Sequence, residues 1–205
     1  MAEFACTPGQ TVGPFLDLGL PYPGDSALVD DGHPHAVRLH GTVYDGAGDG
    51  VPDALVELWQ PDGTGRVPRH AGSLRRDWVS IASAAPGAAG RHHRDDATFT
   101  GWGRSATDAA GHYGFITVAP GPASVGRPPF FALTVFARGL LDRLFTRAYL
   151  PGGDASTDPL LASLDAERRA TLLCDAESGC GHYRFDIHLQ GPHETVFLAY
   201  RDGGR

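Results

Sequence analysis

The chain alternates short apolar or alternating segments with turn-forming residues. Between residues 183 and 190, YRFDIHLQ places Tyr183, Phe185, Ile187 and Leu189 on one parity and Arg184, Asp186, His188 and Gln190 on the other. That period of two predicts a half-buried strand. VRLHGTVY (37–44) and ALVELWQ (54–60) flank the turn-rich DGAGDGVPD, and YGFITV (113–118) runs into APGP. FFALTVFA (130–137) leads through RGLLDR to LFTRAYL (144–150), and TVFLAY (195–200) is expected to close the sheet. Many short strands punctuated by Gly and Pro predict an all-β sandwich with long loops.

One short helix is expected within ASLDAERRATLLC (162–174), with Ser163 as its cap and Asp165 and Glu167 near its positive end. Residues 67–98 are polar, rich in Gly and Ala, and form a long loop excursion. The pattern divides the chain into an N-terminal arm and connection over 1–36 and one β-sandwich domain over 37–205. No internal repeat interrupts it.

Composition narrows the function. The chain has 205 residues, enough for one domain with a substantial core. Lys+Arg 17 against Asp+Glu 24 gives a net charge of -7, which opposes nucleic-acid binding. Positive charge is carried by arginine, so an anionic small molecule would be met by one placed guanidinium. RPPFFALTVFARG (127–139) directs attention to Arg138, the charge that closes an apolar run. Cys6, Cys174 and Cys180 are odd in number and scattered, which suits a reducing cytoplasm. MAEFACTPGQ lacks the pattern of an export signal, and no apolar stretch predicts a membrane span.

Local chemistry offers little. His92 and His93 are adjacent and would point to opposite sides of an extended chain, beside Asp95 and Asp96 in a solvated loop. His33 and His35 form an H-x-H, but Pro34 places them in a loop before the first strand. His40 and His188 fall on the polar parity of their strands. Glu57 has no paired carboxylate at an interpretable spacing, and the glycines of DGAGDG lack the helix and Lys of a phosphate loop. A G-x-S-x-G nucleophile elbow is not found. Trp59 and Trp102 are assigned to packing.

LHGTVYDGAGDGVPDALVELWQPDGTGRV (39–67) resembles the signature of the intradiol ring-cleaving dioxygenases. FTGWGRSATDAAGHYGFITVAPGP, TVFARGLLDRLFTRAYL and YRFDIHLQGPHETVF extend the likeness from Thr7 to Tyr200. The resemblance implies a β-sandwich and a non-haem ferric iron held by two tyrosines and two histidines. Phenolates and imidazoles suit the ferric ion, and a catecholate can chelate it. Here the ligand positions correspond to Val67, Ala123, Phe130 and Ala132, whose side chains have no lone pair to donate. The resemblance therefore implies a chain that binds no metal and whose former pocket is filled by hydrocarbon.

TPGQTVGPF, FARG and ETVF resemble the alpha-type subunits of the family's two-chain members. Such a subunit implies a homologous iron-binding beta subunit as partner, ferric iron in the holoenzyme, and a higher αβ oligomer. It also implies protocatechuate and O2 at a shared site. On this reading Arg138 and the arm residues Thr11, Gly13, Pro14 and Phe15 reach across to the beta chain's pocket, where the guanidinium meets the substrate carboxylate. The alternative from another class is a non-catalytic β-sandwich module for binding or assembly, descended from these enzymes.

Overall fold

A computed structural model describes residues 20–22, 24–69, 74–76, 92–94, 99–178 and 181–199, with the backbone alone for 74–76 and 92–94. The strands are β1 (Ala36–Tyr44), β2 (Leu55–Trp59), β3 (Leu74–Arg76), β4 (His92–Arg94), β5 (Trp102–Ala106) and β6 (His112–Val118). β7 (Phe130–Phe136), β8 (Leu144–Tyr149), β9 (Asp175–Ala176), β10 (His182–Arg184) and β11 (Ile187–His188) complete them. A 3-10 turn (Ala155–Thr157) precedes two helices, α1 (Pro159–Ser163) and α2 (Ala166–Ala170).

Two sheets face each other, as the alternation predicts. In one, β1 lies between antiparallel β6 and the parallel pair β10 and β11, with β9 beyond β10. In the other, β5, β2, β7 and β8 pair antiparallel in that order. Leu39, Val43, Tyr113 and Phe115 from the first sheet meet Val56, Leu58, Phe131, Leu133 and Val135 from the second in one buried cluster. Because successive side chains on a strand point to opposite faces, Phe130, Ala132 and Thr134 turn to the outer face of the second sheet. A smaller cluster of Tyr149, Leu161, Leu172 and Val196, with Phe130 packed against it, covers one end of that face.

Several expectations are corrected. The strand expected over 183–190 keeps its alternation but is interrupted at Phe185 and Asp186. There the Asp186 carboxylate accepts from the Thr42 backbone N–H at 3.0 Å, and the Tyr113 hydroxyl donates to the Phe185 carbonyl at 2.6 Å. Side chains thus take ladder positions, and β10 and β11 hold one register on β1 across the gap. The segment expected to close the sheet over 195–200 is not a strand within its described part. Instead, Leu198 donates to the Phe145 carbonyl, and hydroxyls of Thr146 and Thr171 bind Val196.

The single helix capped by Ser163 becomes two five-residue helices. Asp158 caps α1 with Pro159 in its first turn, and Asp165 caps α2. Ser163 ends α1, its hydroxyl donating to the Leu160 carbonyl. The 67–98 excursion contains the β3–β4 pairing. β5 was not anticipated, because WGRSA lacks an aliphatic parity.

The break in the 183–190 strand depends on Gly41, where a Cβ would overlap the Phe185 carbonyl. Gly41→Ala is expected to destabilise the fold by about 3 kcal/mol through overpacking of backbone. At Gly63 an added Cβ would meet nothing closer than the Ala119 oxygen at 3.7 Å, so Gly63→Ala serves as the tolerated control. Thermal unfolding of the two variants checks this: the melting temperature should fall by roughly 10 °C for the first and hardly move for the second.

Candidate functional site

Val67, Ala123, Phe130 and Ala132, expected to correspond to metal ligands, lie near one end of the second sheet. Val67 follows a tight turn in which the Asp62 carboxylate accepts from the backbone N–H groups of Thr64 and Arg66 and from the Thr64 hydroxyl. The Thr64 hydroxyl, with these backbone groups, holds the Asp62 carboxyl below its ordinary value. Gly65, at φ 88, packs on the Pro122 carbonyl, and Gly121 N–H donates to the Asp62 carbonyl at 2.9 Å. These contacts put the turn before Val67 beside the turn before Ala123. Across the sheet, Ala132 sits opposite Trp59 on β2 and Arg147 on β8, while Phe130 sits opposite Tyr149.

The expected hydrocarbon filling is corrected at two of the four positions. Val67 is 56% exposed and Ala123 is exposed, so neither adds to a core. Phe130 and Ala132 are half-buried. The Phe130 ring packs on Tyr149 with centroids 5.1 Å apart, and Arg147 lies over it. Tyr149 is fully buried, and burial raises its phenol above the ordinary value. Its hydroxyl accepts from Arg147 Nη1 at 3.1 Å. Trp59, expected to be packed, is 53% exposed beside Trp102 on the next strand.

Arg138 lies just past β7 at an open groove of about 1000 Å³, lined among others by Asp45, Val51, Asp53, Leu140 and Gln190. It forms an ion pair with Asp53 of the same chain, its own side chain 60% exposed and that of Asp53 13% exposed. Thr11, Gly13, Pro14 and Phe15 lie outside the described residues, as do Cys6, Cys180, Asp95 and Asp96. The structure therefore places Arg138 but not the arm expected to join it.

The remaining candidates are accounted for locally. His33 and His35 are exposed in the loop before β1, with His35 N–H donating to His33 Nδ1 at 3.2 Å. His40 pairs with Glu177 at 3.0 Å, and His188 stacks on Tyr44 with centroids 4.8 Å apart. His188 is held below the ordinary imidazole value, chiefly by burial. Among the described residues, no group of three or more His, Cys, Asp or Glu side chains could hold a metal ion. Nor is any helix among them long and apolar enough to cross a membrane.

Two features were not read from the sequence. Glu57, unpaired in the linear pattern, accepts from Arg104 Nε at 3.2 Å and Nη2 at 2.6 Å, both side chains 15% exposed. Glu57 and Arg104 are direct cross-strand partners, and register between β2 and β5 is what pairs them. Arg147 was the second, and its outward parity on LFTRAYL was the available signal.

The sequence model of the Dioxygenase family matches residues 13–191. The chain belongs to the intradiol ring-cleaving dioxygenase family. Within it, the chain is 36% identical to the protocatechuate 3,4-dioxygenase alpha chain of Burkholderia cepacia, covering 97% of this chain and 99% of that one. It is 31% identical to the protocatechuate 3,4-dioxygenase beta chain of Burkholderia cepacia, covering 82% of this chain and 70% of that one. Among solved structures, the dioxygenase domain of a dioxygenase carbohydrate-binding protein fusion from Streptomyces sp. SirexAA-E shares the fold. Its TM-score is 0.57 at 24% identity, covering 90% of this chain and 98% of that one.

The family's iron can be tested against the side chains present. Val67, Ala123, Phe130 and Ala132 offer hydrocarbon, and a metal needs lone pairs. The residues expected at the ligand positions do not fit the group.

Cys174 is 3% exposed, and burial pushes its thiol up to about 12. It is no nucleophile at neutral pH. Iodoacetamide at pH 8 should leave Cys174 unmodified in the native chain and alkylate it in guanidinium, as mass spectrometry of the digested protein will read. Because the folded value lies above the unfolded one, Cys174 opposes folding as pH rises from about 9 toward about 12.

Proposed function

We propose that this chain is the non-iron-binding alpha subunit of a protocatechuate 3,4-dioxygenase. A homologous beta chain holds the ferric iron, and the two together use O2 to open protocatechuate between its hydroxyl-bearing carbons. The product is 3-carboxy-cis,cis-muconate, with both oxygen atoms retained. The observation that carries this reading is the donor-free set Val67, Ala123, Phe130 and Ala132. The identity of 36% to an alpha chain over nearly the full length supports it. The beta-chain relative, at 31%, indicates the kind of partner. The αβ unit is proposed to associate further in the cytoplasm, without nucleic acid or membrane.

This chain's contribution is positioning. Arg138 would lend its guanidinium to the rim of the beta chain's pocket and orient the substrate carboxylate. The Asp53 pair does not oppose this role: it fixes one edge of the guanidinium and leaves other N–H donors. Thr11, Gly13, Pro14 and Phe15 would line the same pocket as an arm.

Two experiments test the reading. Metal analysis of the chain purified alone should find no stoichiometric iron and no tyrosinate-to-iron colour. Stoichiometric ferric iron there would defeat the assignment. In the αβ complex, Arg138→Ala should lower kcat/KM for protocatechuate by roughly 10–100-fold while the complex still folds and assembles. Catechol, which has no carboxylate, should be turned over nearly as before. Unchanged kinetics on protocatechuate would remove Arg138 from the shared site.

A further inference from the structure

The outer face of β7 carries a cation of the protein's own. Arg147 stands directly opposite Ala132 in the β7–β8 register. Its guanidinium carbon lies 4.3 Å from the centroid of the Phe130 ring. Nη1 donates to the Tyr149 hydroxyl at 3.1 Å and lies 3.8 Å from Oδ2 of Asp158. The Asp158 side chain is 2% exposed, and its Oδ1 accepts from the Leu160 and Leu161 backbone N–H groups to cap α1.

Each contact pulls in the same direction. A buried carboxylate requires a counter-charge, and Arg147 is its ion-pair partner. The face of an aromatic ring attracts a cation, and Phe130 supplies one. The Tyr149 hydroxyl, buried, takes a donor. The guanidinium is thereby held over Phe130 and beside Ala132, the two positions where the family's metal would find its imidazoles.

We infer that Arg147 excludes a metal cation from this face, so that replacing the lost donors would not by itself restore a metal site. The inference rests on assigning Phe130 and Ala132 to ligand positions, as in the proposed function. Its physical basis is repulsion between like charges a few ångströms apart in a half-buried setting, where solvent screens weakly. The side chain that neutralises Asp158 is thus also the one that bars the metal.

The test gives the full chain two imidazoles on β7, Phe130→His with Ala132→His, and compares it with the same variant carrying Arg147→Gln. Titration with Ni2+ at pH 8, against wild type as background for native histidines, reads the affinity. The variant with Arg147→Gln should bind at least about 10-fold more tightly than the one retaining Arg147. Arg147→Lys, which keeps the charge, should not show that gain. Equal affinity with and without Arg147, or no new site in either variant, overturns the inference.

A gentler variant covers the case in which two imidazoles prevent folding. In Ala132→Cys the nearby guanidinium should favour the thiolate, and adding Arg147→Gln should slow its alkylation by iodoacetamide at pH 7 by at least about 3-fold. An unchanged rate would place the cation elsewhere and overturn the inference too. None of these outcomes concerns iron in the wild-type chain, so their failure leaves the subunit assignment standing. Conversely, iron in wild type would undo that assignment whatever Arg147 does.

Discussion

A strand has two faces, and the inner face of β7 is committed. Phe131, Leu133 and Val135 must enter the sandwich for the two sheets to close. Whatever β7 offers to chemistry must therefore come from Phe130, Ala132 and Thr134, or from Arg138 just beyond its end. This parity decides the molecule's character. The outward positions nearest the two turns carry a phenyl ring and a methyl group, which pack but cannot ligate or transfer a proton. The parity also brings Arg147 and Tyr149 of β8 opposite them. One sheet register thus sets this donor-free pair against an arginine.

The sequence made much of this legible where alternation was strong. β1, β2, β6, β7 and β8 fall where aliphatic and aromatic residues alternate, because burial of one face fixes both period and register. β5 was missed because Gly103 and Ser105 occupy its inward parity, and small side chains leave no hydrophobic trace. The stretch 195–199 looked like a strand, yet Thr171 and Thr146 hydroxyls meet the backbone of Val196. Those side chains compete with a ladder, and local propensity does not register such competition. The helix cap moved from Ser163 to Asp158 and Asp165 for a related reason. Each carboxylate accepts from backbone N–H groups of the turn it starts, and each stands before a better helical opening.

Residue types were legible as chemistry, and their placement was less so. That Val67, Ala123, Phe130 and Ala132 cannot donate follows from residue type alone. That they form no common core does not, because exposure of Val67 and Ala123 depends on how two turns meet at Gly65 and Pro122. Pairing is likewise a property of register: Glu57 and Arg104 are 47 residues apart in the chain and adjacent in the sheet.

Arginines in different surroundings then divide the work. Arg104 is held by Glu57 with both side chains 15% exposed, and Arg147 is 29% exposed against Asp158 at 2%. Guanidinium groups so placed have exchanged water for fixed partners, and moving either would strand a carboxylate in a poorly solvated place. Arg138 differs, because its side chain is 60% exposed although its partner Asp53 is mostly buried. Solvent screens that pair on the arginine's side, but Asp53, at 13% exposed, is buried as deeply as Glu57 and still needs its counter-charge. Arg147 has exchanged water for fixed partners, whereas Arg138 neutralises Asp53 while most of its guanidinium stays in solvent.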